Sequence, residues 1–266
     1  MLKPFKFVSA VIIYALASNN DAIANTLPVV TPFIIEAYGG SSTQGAMAVR
    51  ENGKVHAIFI KDNEIGLLDD MLTAKYGEGI QIINKGVSSS QAIELLNAKY
   101  YYKKNKTWRD EMKASPAKII LLNFATNDAR HFHFNDIAAD YRVSPQRYNE
   151  VMTQLINIAR EEGKEVVLQE PHPICGRAEK WGIAPYVTQL DAISRSQSVP
   201  LVRQYKRILA IKDWQSLLSP DCIHPSRQLY RMKAQETFTV LVNHFDSQLA
   251  AAGQSGRRDV EQTVQR

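Results

Sequence analysis

The most restrictive feature of this sequence is a nearly continuous apolar run, KIILLNF, from Lys118 to Phe124. A run of this kind is typical of a strand that is buried on both faces at the centre of a parallel sheet. Along the rest of the chain, short strand-like runs alternate with segments of helical periodicity. This alternation predicts a parallel, three-layer α/β domain.

The predicted elements form one domain, residues 25–250, without internal repeats. Strands are expected at Phe33 to Tyr38, Ile80 to Ile83, Lys118 to Phe124, Glu165 to Gln169 and Pro200 to Arg203. Helices are expected at Glu64 to Lys75, Ser90 to Tyr100, Pro145 to Glu162 and Ser226 to Ala250. The stretch between the first strand and the first helix is polar and contains Asn52-Gly53. The tail, 251–266, is rich in Gln, Arg and small residues and is expected to be disordered.

The first 24 residues are typical of a secretory signal peptide. Lys3 and Lys6 precede an apolar run from Phe7 to Ala17, and Ala22-Ile23-Ala24 offers small residues at the cleavage spacing. The apolar run is well short of the roughly 20 residues that a membrane span needs, which favours cleavage over an anchor helix. We therefore expect an exported protein, periplasmic or secreted, without stable membrane insertion after removal of the signal.

Four polar segments, far apart in sequence, would meet in such a fold. Three of them follow predicted strands: YGGSSTQG (Tyr38 to Gly45), NKGVSS (Asn84 to Ser89) and FATND (Phe124 to Asp128). The fourth, DCIHP (Asp221 to Pro225), precedes the last helix. Open parallel sheets bind ligands in a crevice outside the carboxyl ends of their strands. The sequence therefore predicts that all four segments line one crevice.

The side chains of these segments suit an ester-cleaving serine site. The hydroxyl of Ser41 is a weak nucleophile until a base removes its proton. His224 is the candidate base, and Asp221 can orient its ring from the same loop. The oxyanion that forms on attack needs preorganised donors, and the N–H groups of Ser41 and Gly86 and the side-chain amide of Asn127 are the candidates.

At these residues the chain resembles the SGNH hydrolases, also called the GDSL esterase/lipase family. The Ser, Gly, Asn and His that name the family correspond to Ser41, Gly86, Asn127 and His224. The resemblance implies a three-layer α/β/α, flavodoxin-like sandwich with about five parallel strands, and hydrolysis through an acyl-enzyme. It implies no cofactor and no metal.

The resemblance extends from about Phe33 to Phe245. Within it, the stretch from Trp214 to His244 is similar to the terminal block of bacterial thioesterase I/lysophospholipase-type members. Two positions depart from the family pattern: Gly40 stands where Gly-Asp-Ser has its aspartate, and Ala125 stands where Gly-x-Asn-Asp has its glycine. Ser42 adjoins the nucleophile, but the family spacing to the closing glycine favours Ser41.

The two cysteines, Cys175 and Cys222, are candidates for a disulfide in an oxidising compartment. Both are expected in loops at the same end of the sheet. Two free thiols that pack as small apolar side chains are the alternative.

Several other features carry weaker hypotheses. The pair His131 and His133 has zinc-ligand spacing but no third ligand nearby, so a loop that lines the pocket or the surface is favoured. His172 is a candidate for the border of the acyl or alcohol site. The stretch from Lys99 to Arg109 mixes aromatic and cationic residues and either binds sugars or headgroups or forms a helix end with lysines over tyrosines.

The sequence as a whole predicts an exported serine esterase that acts on short acyl esters, including acetyl groups on glycans. A lysophospholipase or thioesterase that acts on longer chains is one alternative, and a catalytically idle glycan-binding module is another. The expected partner is a small-molecule or glycan ester. The net charge of +5 is spread along the chain rather than clustered, which argues against a nucleic-acid partner. The sequence leaves the oligomeric state open.

Overall fold

The computed structural model describes residues 32–98 and 106–264. The predicted signal peptide therefore lies outside the described residues, as does the greater part of the stretch from Lys99 to Arg109. Among the described residues, none of the helices combines the length and the apolar character that a membrane crossing would require.

The strands form one parallel sheet and one small hairpin. In chain order they are β1 (Phe33–Gly39), β2 (Ala46–Glu51), β3 (Lys54–Phe59), β4 (Ile80–Asn84), β5 (Ile119–Asn123), β6 (Glu165–Gln169) and β7 (Leu201–Val202). The five-stranded sheet has the order β4-β1-β5-β6-β7, and all its pairings are parallel. The apolar run KIILLNF supplies β5, the middle strand, and every residue of that strand is buried. This confirms the predicted fold class.

Helices cover both faces of the sheet. They are α1 (Ser41–Gln44), α2 (Glu64–Tyr76), α3 (Ala92–Asn97), α4 (Trp108–Ala114), α5 (Thr126–Phe134), α6 (Pro145–Glu161), α7 (Ala184–Gln197), α8 (Tyr205–Leu209) and α9 (Arg227–Val264). Successive strand residues point to opposite faces. Ile34 accordingly packs in the core under α3, α4, α6 and α7, whereas Ile35 packs against α2 and α9.

The predicted helix starts have physical counterparts in the structure. The Ser144 hydroxyl accepts a hydrogen bond from the Arg147 amide at the start of α6, and Pro145 occupies its first position. Before α2, the Asn63 side chain accepts hydrogen bonds from the amides of Ile65 and Gly66. Such caps satisfy amides that have no partner within the helix.

The hairpin of β2 and β3 is an element that the sequence analysis lacks. The two strands pair in antiparallel register from Ala46 with Phe59 to Glu51 with Lys54, and Asn52-Gly53 forms the turn. Five of the six residues of β3 are exposed, so the strand has no buried apolar face that would mark it in the sequence. The Asn-Gly pair, a favoured two-residue hairpin turn, was the usable signal.

The C-terminal segment also differs from the expectation of a disordered tail after Ala250. Helix α9 continues to Val264. A Cβ atom added at Gly253 would lie 1.9 Å from the carbonyl oxygen of Tyr76, so the helix backbone packs directly against the end of α2 at this point. Composition alone does not reveal this contact, because it depends on how closely two backbones approach.

Candidate active site

Ser41, His224 and Asp221 meet at the carboxyl end of the sheet. Ser41 begins α1 immediately after β1, and its Oγ lies 2.8 Å from His224 Nε2. His224 Nδ1 lies 2.5 Å from Asp221 Oδ2. Both distances are within hydrogen-bond reach, which is what a nucleophile, its base and the group that orients the base require. The structure thus brings together three predicted side chains from segments 183 residues apart.

The loop that carries the histidine, residues 218–226, is called the catalytic loop here. Within it, Asp221 Oδ1 accepts hydrogen bonds from the amides of Ile223 and His224, each at 3.0 Å. Burial acts to raise the pKa of Asp221, but the hydrogen bonds from the His224 side chain and these two amides lower it to about 2. The ionised carboxylate keeps the proton of a neutral His224 on Nδ1, which leaves the Nε2 lone pair for the Ser41 hydroxyl.

Ser219 joins the catalytic loop to the hairpin. Its Oγ accepts a hydrogen bond from the Ala48 amide of β2 at 3.1 Å and lies 3.1 Å from Asp221 Oδ1. Nearby, the Tyr230 hydroxyl donates to the Ala46 carbonyl at 2.6 Å. These hydrogen bonds fix the hairpin against the catalytic loop and the start of α9. The sequence predicts neither the hairpin nor its role in supporting this loop.

Asn127 lies beside the nucleophile turn. Its Nδ2 donates to the Ser90 carbonyl at 3.0 Å, and a Cβ atom added at Gly40 would lie only 2.8 Å from the same nitrogen. The absence of a side chain at residue 40 thus lets the Asn127 amide approach the turn closely. Ser41, Asn127 and His224 all line the same cavity.

Gly86, in contrast, is not brought to this cavity. Its amide donates to Asn84 Oδ1 at 2.9 Å, and the residue borders a separate cavity beside Tyr38 and Trp108. A Cβ atom at Gly86 would lie 2.4 Å from the Gln44 amide nitrogen, so the glycine is needed for packing behind α1. The expectation that Gly86 supplies an oxyanion donor is therefore wrong for this structure.

Ser89 occupies the cavity wall in place of Gly86. It lies three residues further along the same segment and has a φ of 64°, in the left-handed region that favours glycine. The sequence offers no glycine there to mark the position, because Ser88, Ser89 and Ser90 are consecutive. The left-handed backbone distinguishes Ser89 from its serine neighbours as the residue that takes a glycine-like conformation at the cavity wall. This conformation is visible only in the structure.

Ala125, the second departure from the family pattern, also has an unusual backbone, with φ of 117° and ψ of −38°. Its amide donates to Asp128 Oδ2 at 3.0 Å, and Asp128 Oδ1 accepts from the Ala92 amide at 3.1 Å. Asp128 is fully buried, and burial raises its pKa to about 6. Its carboxyl group ties the segment after β4 to the segment after β5, and a non-glycine residue held at such a φ stores strain beside the site.

Cys175 and Cys222 form a disulfide. The Cys175 amide also donates to the Cys222 carbonyl at 2.9 Å. Cys222 lies inside the catalytic loop, and Cys175 lies in residues 170–176, which follow β6 and are called the post-β6 loop here. The bridge therefore attaches the catalytic loop to the end of a neighbouring strand.

The cavity at Ser41 has a volume of about 390 Å³. Phe59 from the hairpin and Trp181 contribute aromatic walls, and Phe59 is 59% exposed. Thr126 and Asn123 add polar groups, and Arg130 contributes a cation to the wall. The cavity is within the size range of small-molecule sites and combines apolar walls with a few polar groups, as such sites do.

The weaker candidates lie elsewhere. His131 Nδ1 is 2.7 Å from Asp136 Oδ1, and within residues 32–98 and 106–264 no group of three or more suitable side chains is placed to hold a metal ion. His172 is buried and does not line the cavity. Trp108 is packed edge-on against Tyr38 in the core, so this part of the stretch from Lys99 to Arg109 is structural.

No protein-family model and no curated protein matches the sequence. Solved structures do match. The chain is similar to a lipase/acylhydrolase from Enterococcus faecalis, with 17% identity, a TM-score of 0.58, and 79% of this chain and 95% of that chain covered. It is also similar to a catalytic mutant of an acetylxylan esterase from Geobacillus stearothermophilus, with 15% identity, a TM-score of 0.61, and coverage of 80% and 96%.

A third similar structure is an aryl esterase of M. smegmatis, with 15% identity, a TM-score of 0.56, and coverage of 79% of this chain and 99% of that chain. At such low identities the likeness establishes the fold, and activity has to be argued from the site. The matches span nearly the whole length of each of these proteins. The chain therefore has the parallel α/β fold of these acylhydrolase and esterase structures, which is the fold that the resemblance to the SGNH hydrolases implies.

Proposed function

We propose that the protein is an SGNH-type serine esterase that hydrolyses short-chain acyl esters, with acetyl groups on glycans as the favoured substrates. The observation that carries this proposal is the hydrogen-bonded series from Ser41 Oγ through His224 to Asp221, with distances of 2.8 Å and 2.5 Å. An idle binding module has no need of this geometry, which is costly to assemble from distant segments.

The reaction follows from the geometry. Ser41 Oγ bonds to the acyl carbon as its proton passes to His224 Nε2, and Asp221 stabilises the resulting imidazolium. The tetrahedral intermediate collapses, and the leaving alcohol takes the proton from His224. Water then attacks the acyl carbon while His224 accepts its proton, and the acid departs as Ser41 Oγ is protonated again.

The oxyanion would be stabilised by donors on the cavity wall. The amide of Ser41, the side-chain amide of Asn127 and the amide of Ser89 are the groups that we assign to it. Ser89 replaces Gly86 in this role, because Gly86 donates its N–H to Asn84 instead. Removal of one such donor typically costs about 2.7–4 kcal/mol of transition-state stabilisation.

The lining of the cavity supports a short acyl group on a polar alcohol. Phe59 and Trp181 offer flat apolar faces of the kind on which sugar or aryl rings pack, and Asn123 and Thr126 can hydrogen-bond to hydroxyl groups. A long alkyl chain would leave these polar groups without partners, at a free-energy cost. The similarity to an acetylxylan esterase agrees with this choice of substrate.

The proposal also includes export. Residues 1–24 have the pattern of a signal peptide. The Cys175–Cys222 bridge is of a kind that persists in oxidising compartments, such as the bacterial periplasm and the extracellular medium. N-terminal sequencing of the protein recovered from cell fractions tests this part, since a mature chain that starts after Ala24 is expected in the exported fraction.

Labelling with a fluorophosphonate probe tests the serine mechanism. The wild-type protein and the Ser42→Ala variant should be labelled, whereas Ser41→Ala should not. A folded wild-type protein that resists labelling would contradict the proposal. Rates on nitrophenyl esters of increasing acyl length, together with acetate release from acetylated oligosaccharides, test the substrate, and a preference for long chains over acetyl would overturn that part.

A further inference from the structure

The peptide group that joins Ile223 to His224 is held at both of its polar atoms. Its N–H donates to Asp221 Oδ1 at 3.0 Å. Its carbonyl oxygen, on Ile223, lies 2.7 Å from Nε2 of His172, a residue 51 positions away. This peptide group ends at the Cα atom of His224. Its orientation therefore influences the direction in which the His224 side chain leaves the backbone.

His172 is suited to act as a fixed donor. It belongs to the post-β6 loop, is 1% exposed and does not line the active-site cavity. A carbonyl oxygen can only accept, so the proton of the neutral ring must be on Nε2. Burial, followed by the positive charge of Lys233, lowers the pKa of His172 to about 3. The ring therefore stays neutral, and its donor stays in place, at pH values well above 3.

The post-β6 loop contacts two consecutive carbonyl groups of the catalytic loop. His172 donates to the carbonyl of Ile223, and the amide of Cys175 donates to the carbonyl of Cys222. The disulfide between Cys175 and Cys222 holds the same two segments together covalently. Of these contacts, the one made by His172 is closest in the chain to the catalytic imidazole.

We propose that His172 is a positioning residue, which fixes the carbonyl of Ile223 and thereby holds the His224 imidazole in line with Ser41 Oγ. The inference rests on the proposed esterase function and adds a residue to its machinery. Without the donor, the peptide group could rotate and the Ile223 carbonyl would be left unpaired. A displacement of about 1 Å at a reacting group can cost on the order of 10²-fold in rate, so even a small shift of the ring should be measurable.

Two substitutions at His172 distinguish the effect of its hydrogen-bond donor from the effect of its side-chain volume. His172→Leu removes the donor but keeps an apolar side chain of moderate size. His172→Gln keeps an N–H donor the same number of bonds from the backbone as Nε2. We expect His172→Leu to lower kcat by about 10- to 100-fold with KM changed less than about twofold, because the substrate cavity is untouched, and His172→Gln to recover the greater part of kcat.

A matched control comes from a similar hydrogen bond elsewhere in the core. The Tyr186 hydroxyl donates to the Val143 carbonyl at 2.5 Å, also from a buried side chain. Tyr186→Phe should lower Tm as an ordinary buried hydrogen bond does, without changing kcat at temperatures where the variant is folded. If His172→Leu behaves in the same way as Tyr186→Phe, with kcat within about twofold of wild type, the positioning role is overturned.

A measurement on the wild-type protein keeps the test independent of variant folding. In protein labelled with ¹⁵N-histidine, the ring of His172 should show a protonated Nε2 and an unprotonated Nδ1 at every pH from 5 to 8. A proton on Nδ1, or an ionisation within that range, would overturn the inference. If the wild-type protein cleaves no ester at all, the proposed function fails instead, and the state of the His172 ring can still be measured.

Discussion

Breaking the Cys175–Cys222 disulfide should lower the thermal stability by an amount that depends on the length of the loop it closes. The two cysteines are separated by 47 positions in the sequence. Closing a loop of that length removes about 14 cal/mol/K of entropy from the unfolded chain, or about 4 kcal/mol at 25 °C. For a domain of about this size, each kcal/mol shifts Tm by about 2–4 °C, so we expect a decrease of about 8–16 °C.

Activity should decline at temperatures where the reduced protein is still folded. Cys222 lies between Asp221 and His224, so the bridge ends inside the segment that carries these two residues. After reduction, the hydrogen bonds to Asp221 remain, but the catalytic loop loses its covalent attachment to the post-β6 loop. We therefore expect kcat to fall before the global unfolding transition begins.

Thermal melts with and without dithiothreitol, with thiols counted by alkylation, measure the effect. The double variant Cys175→Ser, Cys222→Ser is the matched control, since it should show the lower Tm and no response to the reductant. If both thiols are free in the reduced wild-type protein and Tm falls by less than about 2 °C, equivalent to under about 1 kcal/mol, the reasoning is refuted.

Three substitutions test one residue of the cavity and two residues that lie outside it. Asn127→Ala should lower kcat by about 10²- to 10³-fold with a modest change in Tm, because it removes an oxyanion donor, and unchanged kinetics would exclude that role. Gly86→Ala should instead lower Tm, since its Cβ would meet the Gln44 backbone at 2.4 Å, and a melt that matches wild type would contradict the packing role. Burial raises the pKa of Glu94 to about 7, so the folded state binds that proton more tightly than the unfolded state and stability declines as the pH rises from about 4.5 through 7. Glu94→Gln should flatten this decline in melts at pH 5 and pH 8, and an equal decline in both proteins would argue against it.

The parts of the fold that follow from local pattern could be predicted from the sequence. KIILLNF marks the middle strand because both of its faces are apolar, and Ser144-Pro145 marks the start of α6 because its cap is local. The meeting of Ser41, Asp221 and His224 was predictable for a related reason. These residues lie at a strand end or beside the last helix, and parallel topology brings those positions together.

The parts that the sequence did not predict depend on contacts between distant backbones. Glycine at residue 86 permits a close backbone approach, and the structure shows that this approach is to Gln44 rather than to the cavity at Ser41. Ser89, which does reach the cavity, carries no side-chain signal for its left-handed backbone. The close packing of Gly253 on Tyr76 likewise depends on how two backbones approach, which composition does not encode.

His224 illustrates why a motif specifies the residue types of a site but not their geometry. Asp221 and His224 are three residues apart, and their mutual hydrogen bonds are local. Their position relative to Ser41 is set by two remote supports: the hairpin, through the Ala48 amide on Ser219, and the post-β6 loop, through His172 and the disulfide. Because the supports contact residues other than Asp221 and the His224 side chain, removing either one should let the loop shift without disrupting the Asp221–His224 pair. Substitutions at the supports should therefore reduce the rate while the pair itself stays intact, whereas substitutions within the pair abolish the chemistry.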